Sequence, residues 1–336
     1  MKIPNHLRWP GKVLRIETDD TDFTPIETIP EEYRNLVIPA ASVFYTHDYD
    51  FDMLCQSIRL GPFSLWTHEV FAMENITLLP VTTKPIIALH FMAGSDVMAE
   101  ITDNGPYKLS GKEVNLFKLD AAFHEAPMKR GDTLFSFHIN VLPHVFSRLS
   151  TKHPELAQLT QKELTKGSGP LHDRPYKINK VCFEIIQQIC GCRYIEMLAD
   201  KFLYRNCLDL FINFANQDKL SHLPSPKFDP EIMDAVPHAV KFLKENVGEE
   251  FNSAKMAYIM DVNARELKAA FEATCFISAE QFHLQCKMYQ AFKLIVNTKA
   301  EPNIIANAIG MKDTDEFIKK FEAYFDCSYI AVRNAQ

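Results

Sequence analysis

An α+β chain is predicted, with a strand-rich N-terminal half and an all-helical C-terminal third. Three observations predict it. Runs of two-residue periodicity fill Ser42 to Val145. Helical spacing takes over after Pro143. Between Ser253 and Arg333 one plan is written twice: an apolar helix, a tight break, a capping residue, and a second helix ending in Phe-Glu. At 336 residues the chain has room for two or three domains, each with its own core.

The composition, 47% hydrophobic and 24% charged, is that of an ordinary globular protein. No apolar run reaches the roughly 18 residues that a membrane helix needs, so no membrane partner is expected. The opening MKIPNHLRWPGK lacks the apolar centre of a secretory signal. A cytoplasmic location is therefore expected. The eight cysteines are scattered and read as buried, reduced thiols. Cys190-Gly-Cys192 is the alternative, a thiol sensor, although a one-residue gap fits zinc and redox pairs poorly. The net charge of −7 argues against a protein that coats nucleic acid nonspecifically, and it leaves room for a local basic face.

Met1 to about Pro39, with the acidic run Asp19 to Asp22, shows little periodicity and reads as irregular. Strand signals then begin. Met53, Cys55, Ser57 and Arg59 alternate with Leu54, Gln56, Ile58 and Leu60, and Phe63, Leu65 and Thr67 with Ser64, Trp66 and His68. Phe135, Phe137, Ile139 and Val141 alternate with Ser136, His138 and Asn140, the period of a half-buried strand. Pro85 to Met92 is nearly all apolar, as in a strand covered on both faces. Asp103 to Pro106 and Lys129 to Asp132 are turn signals. Many short strands with such punctuation predict a β-sandwich or small barrel.

Beyond Pro143 the spacing is helical, with a break at Pro154 and a loop over Lys166 to Pro170. Ile178 to Asn216 gives two more helices around Gly191. Val181, Ile185, Ile186 and Ile189 share one face of the first, and Leu203, Cys207, Leu210, Phe211 and Phe214 one face of the second. This pair suits either a dimer interface or a brace. Asn216 to Pro230 carries three prolines and no apolar period, as an interdomain linker does. In the helix that follows, Pro237 either opens or kinks it, and the helix ends near Gly248.

In the first repeat, Met256, Ala257, Ile259 and Met260 form an apolar face, Asp261-Val262 turns, and Asn263 caps with Glu266 three residues on, as in a capping box. Leu267, Ala270 and Phe271 face inward; Arg265, Lys268, Ala269 and Glu272 face out. In the second, Ile305, Ala306 and Ile309 face inward and Gly310 turns, where glycine adopts a positive φ without strain. Asp313 caps with Glu316 three on, Phe317 and Phe321 pack, and Thr314, Asp315, Ile318 and Lys319 face out. Between them Ala279 to about Asn297 forms one long helix buried through Phe282, Cys286, Ala291, Leu294 and Ile295. A helix-turn-helix written twice, about 50 residues apart, is suited to place two reading helices in successive major grooves, about 34 Å apart. A plain helical bundle is the bland alternative.

Ser253 to Arg333 resembles the C-terminal domain of AraC/XylS-type transcriptional regulators. The resemblance is carried by Met256-Ala257, the Leu267 to Phe271 spacing, Phe282, Ala291, Leu294-Ile295, the run IANAIGM from Ile305 to Met311, Phe317 to Phe321, Tyr324 to Asp326, and Arg333. It implies two helix-turn-helix units joined by a long helix, with double-stranded DNA as partner. It also implies an N-terminal cupin-like β-barrel for sensing and dimerisation, which the close RGDTLFSFHINVLPHVFSRL resembles more loosely. Departures stand at Phe276, where the family has Gly, at Lys287, where it has Arg, and at Tyr329, where it has Pro. Glu272 and Glu322 replace lysines that approach phosphate in the family.

The chain is thus expected as an α+β protein with a cupin-like β-barrel (1–145), a helical bracing or dimerisation segment (146–216), a linker (217–230) and an all-α double helix-turn-helix domain (231–336). From Phe228 to Gln336 there are 16 Asp and Glu against 12 Lys and Arg, so DNA binding needs its cations on one face. The candidates are Arg265, Lys268, Lys312, Lys319 and Lys320, with Ala269 and Thr314 beside them. Arg265 and Lys268 suit guanine O6 and N7. Ile318 suits a thymine methyl or a protein contact. Asp315 and Glu316 disfavour phosphate, so the first unit is expected to read more than the second.

In the strand-rich half, Trp66, His68, His90 and His138 are the candidate small-molecule pocket. No His-x-His motif marks a metal site, and no phosphate loop, nucleophile elbow or zinc-protease helix marks an enzyme. The expectation is a bacterial DNA-binding regulator with a small-molecule effector and a homodimer partner. The alternatives are a protein-interaction regulator with weak DNA affinity, and a cupin enzyme with a vestigial reader.

Overall fold

The computed structural model describes residues 12–17, 29–122, 124–161, 167–172, 174–222 and 226–335. Contacts divide the chain into two compact units, Met1–Ile178 and Asn179–Gln336. The expected helical segment 146–216 is therefore shared between them, and its two main helices fall in the second unit.

The first unit carries strands β1 (Lys12–Glu17), β2 (Ser42–Asp48), β3 (Phe51–Leu60), β4 (Phe63–Ala72), β5 (Ile76–Val81), β6 (Ile86–Gly94), β7 (Val97–Ile101), β8 (Gly105–Leu109), β9 (Glu113–Leu119), β10 (Ala126–Met128), β11 (Thr133–Val141), β12 (Gly169–Pro170) and β13 (Tyr176–Lys177). Helix α1 (Glu31–Arg34) precedes β2. Helices α2 (Pro143–Lys152) and α3 (Ala157–Thr160), with a 3-10 turn at Pro154–Leu156 between them, follow β11. Residues 1–39, expected to be irregular, supply β1, which pairs in parallel with β5. The acidic run Asp19 to Asp22, Lys166 in the loop before β12, and 223–225 in the expected linker lie outside the described residues.

Eight strands form the main sheet, in the order β12-β9-β6-β11-β4-β3-β2 with β13 also on β9. β1, β5 and β10 form a second sheet, and β7 pairs with β8 alone. Among the described residues the ladder does not close into a barrel; the main sheet ends at β2 on one side and at β12 and β13 on the other. The core instead lies between sheets. Phe51, Met53, Cys55 and Val70 of the main sheet pack with Ile76, Leu78, Ala126 and Met128 of the second.

β11 corrects the half-buried expectation. Its polar residues Ser136, His138 and Asn140 are 7%, 7% and 3% exposed, as buried as its apolar ones. A cavity, not solvent, lies against that face. Polarity in the sequence marked hydrogen bonding, and exposure was only one way to satisfy it.

The second unit is helical: α4 (Lys180–Cys190), α5 (Glu196–Ser221), α6 (Pro230–Glu245), α7 (Ser253–Ile259), α8 (Ala264–Cys275), α9 (Ala279–Asn297), α10 (Pro302–Ala308), α11 (Thr314–Phe325) and α12 (Tyr329–Asn334). α5 runs on to Ser221, into the stretch expected as linker, because Gln217 and Asp218 are buried polar residues that an apolar period does not reveal. α6 opens at Pro230, and Pro237 lies inside it, so Pro237 does not start the helix. The core of this unit is aromatic. Phe317, Phe321 and Phe325 recur every fourth residue on α11, and all are fully buried. Phe292 of α9 meets Phe325 at 4.9 Å and Phe321 at 6.2 Å between ring centroids. Each such buried ring contributes about 1.5–3 kcal/mol.

Candidate functional site

Two helix pairs share one local plan. In the first, Asp261 takes a positive φ of 54° at the turn, and Asn263 Oδ1 accepts from the backbone N–H of Arg265 at 2.9 Å and of Glu266 at 3.2 Å. In the second, Gly310 turns with φ 68°, and Asp313 Oδ1 accepts from Asp315 at 2.8 Å and Glu316 at 3.0 Å. Both caps satisfy N–H groups that the first helical turn leaves open. The reciprocal capping box is formed elsewhere, by Ser278 and Gln281 at the start of α9. Glu316 instead pairs with Lys320 at 2.6 Å.

The structure leaves Arg265, Lys268 and Ala269 of α8 exposed, along with Lys312, Lys319 and Lys320. Thr314 and Ile318, expected to face out, are partly buried. Ile259, expected on the buried face of α7, is 49% exposed, since Met256 and Ala257 alone reach the core of that short helix. Leu294 is only partly buried on α9.

α5 fastens both second helices. Asp209, fully buried, accepts from Tyr289 Oη of α9 at 2.7 Å and from Tyr324 Oη of α11. Arg205 donates to the same carboxylate, and its guanidinium lies 3.9 Å over the Tyr324 ring. Burial and the Asp209 charge together push both tyrosines well above their ordinary value. One turn along, Asn213 Nδ2 donates to Cys275 O at 2.7 Å, and Asn216 Nδ2 to Phe276 O at 3.0 Å, closing the C-terminus of α8. A second tie is Lys287 of α9. Its ammonium donates to the carbonyls of Val247 and Glu249 at 2.7 Å, and also to that of Ile309. Gly310 is required beside it, because a Cβ there would stand 2.5 Å from Gly248 O and 2.9 Å from Lys287 Nζ.

Two departures from the family pattern pair with each other. Tyr329 has a backbone N–H that proline lacks, and Glu322 Oε1 accepts it at 2.9 Å. Glu322 thereby satisfies the first N–H of α12, beside the N-cap Ser328, and is partly buried, whereas Glu272 at the matching place on α8 is exposed. A sequence pattern of Glu322 seven residues before Tyr329 carries no recognised signal, so this pairing was not legible. Phe276 adopts the left-handed φ of 57° that glycine takes more easily. Arg333 donates to the carbonyls of Ile295, Thr298 and Ala300, and so is a structural tie.

In the first unit the register aligns polar residues across the main sheet: Cys55 opposite His68, His68 opposite Ser136, His138 opposite His90, and His90 opposite Asn115. His138 Nδ1 stands 3.0 Å from Asn140 Oδ1, His68 Nε2 3.0 Å from His138 Nε2, and Cys55 Sγ 3.1 Å from His68 Nδ1. With both rings neutral, Asn140 Oδ1 fixes the direction: Cys55 donates to His68, His68 to His138, and His138 to Asn140. Neutrality follows from burial, which holds His68 well below its ordinary value and His138 at about 4. Burial likewise lowers His90 to about 3, and its Nε2 stands 2.8 Å from Ser136 Oγ.

His68, His90 and His138 line one cavity of about 140 Å³. Trp66 is not among its lining residues. It is buried, stacks at 6.0 Å on His68 and 6.4 Å on His138, and donates to Ser64. His124, Glu125 and Asn140 also line the cavity; none of the three was among the residues expected to form the pocket. Among the described residues no cluster of three or more His, Cys, Asp or Glu has the geometry to hold a metal ion.

No family model and no curated protein matches the chain. Among solved structures it is similar to several, at low identity. One is an AraC-type regulator from Chromobacterium violaceum, at 19% identity over 32% of this chain and 95% of that one, with a TM-score of 0.29. Another is the DNA-binding domain of AdpA in complex with a target DNA, at 18% identity over 30% and 91%, with a TM-score of 0.29. A third is ToxT from Vibrio cholerae, at 12% identity over 81% and 98%, with a TM-score of 0.30. No helix among the described residues is long and apolar enough to cross a membrane.

Proposed function

We propose that the chain is a sequence-specific DNA-binding transcription regulator of the AraC/XylS type. Its helical unit carries two helix-turn-helix readers, and its strand-rich unit is a cupin-like sensor. The observation that carries this reading is the repeated plan: two N-capped helices, α8 and α11, each following a short helix anchored by two buried residues and a positive-φ turn. α9, with 19 residues, is about 28 Å long, which supports a spacing near one DNA turn. α8 is the principal reader, through Arg265 and Lys268 with Ala269 beside them. Lys312 and Lys319 supply phosphate contacts. One chain carries both readers, so a homodimer is an addition to the mechanism and not a condition for it.

Selection of bound DNA from a random pool at about 100 mM salt tests the reading. The expected result is enrichment of one motif, lost on Arg265→Ala. Folded protein that enriches nothing would instead favour a protein-interaction role for the same helices.

A further inference from the structure

One helix, α5, holds both α8 and α11 by the same end. Asn213 Nδ2 donates to the carbonyl of Cys275, the last residue of α8, and Asn216 Nδ2 to that of Phe276 just beyond it. Arg205 donates to the carbonyl of Tyr324, the last residue but one of α11, at 3.3 Å. Carbonyls at a helix C-terminus have no partner within their own helix, so each grip fills a real vacancy in bonding. Phe276 and Asp326 then take φ of 57° and 51°. Both helices therefore stop at a left-handed residue other than glycine, a conformation that persists only where its surroundings hold it. Arg205 and Asn216 are eleven residues apart, about 16 Å along α5.

Each grip is itself fixed. Asn213 is 4% exposed, and its Oδ1 accepts from Nδ2 of Asn179, the N-cap of α4, at 2.8 Å and from Cys182 Sγ at 3.1 Å. Asp209, 2% exposed, orients Arg205 and also accepts from Tyr289 Oη of α9 and Tyr324 Oη of α11. Along the chain the two pairs are joined through α9, which α8 meets across Phe276 to Ser278, with the left-handed residue first. α5 is a second bar across the same gap. A rod with a joint at its end fixes a separation, and a second fastening fixes the angle as well.

We propose that α5 sets the angle and separation of α8 and α11, and so the spacing between the two DNA half-sites that the chain accepts. Arg205, Asn213 and Asn216 are its positioning residues. The proposal rests on the double-reader function proposed above and adds the element that fixes its geometry. Half-site spacing mirrors the spacing of the reading helices, and one inserted base pair displaces a half-site by about 3.4 Å and turns it by about 35°. A loosened grip lets one reader follow that displacement. The bases read stay the same, because Arg265 and Lys268 lie toward the other end of α8 from its grip.

Two measurements on the full chain test it. In the first, without DNA, the exposed residues Lys268 and Lys319 are each replaced by a ketone-bearing amino acid that carries a nitroxide, and pulsed EPR reads the distance between them. The native grips should give one narrow distribution. Asn216→Ala should broaden or shift it, and so should Arg205→Lys, which keeps the charge beside Asp209 and loses the planar fork that also reaches Tyr324 O. In the second, affinity is measured for the DNA selected from a random pool and for the same DNA with one base pair inserted between its half-sites. Wild type should lose about tenfold or more on insertion, as for one mismatched base pair, and the two variants only about threefold. The ratio is the readout, since general destabilisation lowers both affinities together. An unchanged distance distribution in both variants, an unchanged ratio, or a selected motif with a single half-site overturns the proposal. If Arg205→Lys does not fold, Asn216→Ala decides. Folded wild type that enriches no DNA overturns the double-reader function and the spacing claim with it, and the EPR result separately decides whether α5 fixes the angle.

Discussion

The two helix pairs are alike in plan and unlike in what surrounds them. In the first, α8 ends on backbone carbonyls closed by the neutral amides Asn213 and Asn216. Its outer face keeps Arg265, Lys268 and Glu272 exposed. In the second, α11 is fastened by the charged centre of Arg205, Asp209 and Tyr324. Glu322 is used up in accepting the first N–H of α12, and Lys320 is held by Glu316. The difference teaches that one motif can be copied while its charges are reassigned. In the second pair Glu322 is committed to the N-terminus of α12 and Lys320 to an ion pair. In the first, Arg265, Lys268 and Glu272 stay exposed.

The sharpest way to break this contrast is at Asp209. Asp209→Ala leaves the Arg205 guanidinium buried without its carboxylate, and should cost about 3–5 kcal/mol. Urea unfolding checks it. Asn213→Ala, the matching change under the first pair, should cost only about 1–3 kcal/mol. Equal losses would mean that the two pairs are held alike.

Next in size is DNA recognition. Arg265→Ala should weaken specific binding by about 1–3 kcal/mol and relax one position of the motif. Lys319→Ala should weaken specific and random DNA together and lower the salt slope by about one. Binding isotherms across a salt series separate the two, and a larger, sequence-dependent loss at Lys319 would reverse the order of the readers.

The paired glutamates give a third comparison. Glu322→Lys removes the acceptor for the Tyr329 N–H and should destabilise by about 0.5–2 kcal/mol, the size of a lost helix cap. Glu272→Lys should leave stability within about 0.5 kcal/mol and tighten DNA binding at low salt. Thermal unfolding of both variants decides it, and equal stabilities would remove Glu322 from the cap. The smallest effect is expected at Glu316→Gln, which releases Lys320 from an exposed ion pair of about 0–1 kcal/mol. DNA affinity should rise slightly at low salt and not at high salt. An unchanged low-salt affinity would show that Lys320 does not approach phosphate.

Much of the helical unit was legible because its signals are local. The Asn263 and Asp313 caps, the Gly310 turn and the Phe317–Phe321 spacing all act within one helical turn of themselves. Apolar period placed the buried faces of α8 and α11 correctly. It failed at Ile259 and Leu294, where a short helix or a neighbour's position limits what the core can reach. It also failed at Gln217 and Asp218, because a period of apolar residues is blind to polar ones that are buried and bonded. In the strand-rich unit the same blindness hid the second covered face of β11.

The sequence by itself determined most element types, the duplicated plan and three of the cavity's histidines, since propensity, capping and periodicity are short-range. Only the tertiary structure decided which polar groups face each other. Asp209 meets Tyr289 and Tyr324 across separations of 80 and 115 residues, and His68 meets His138 across 70. Those meetings are set by how helices and strands pack, and packing alone made His68 a bonded member of the row.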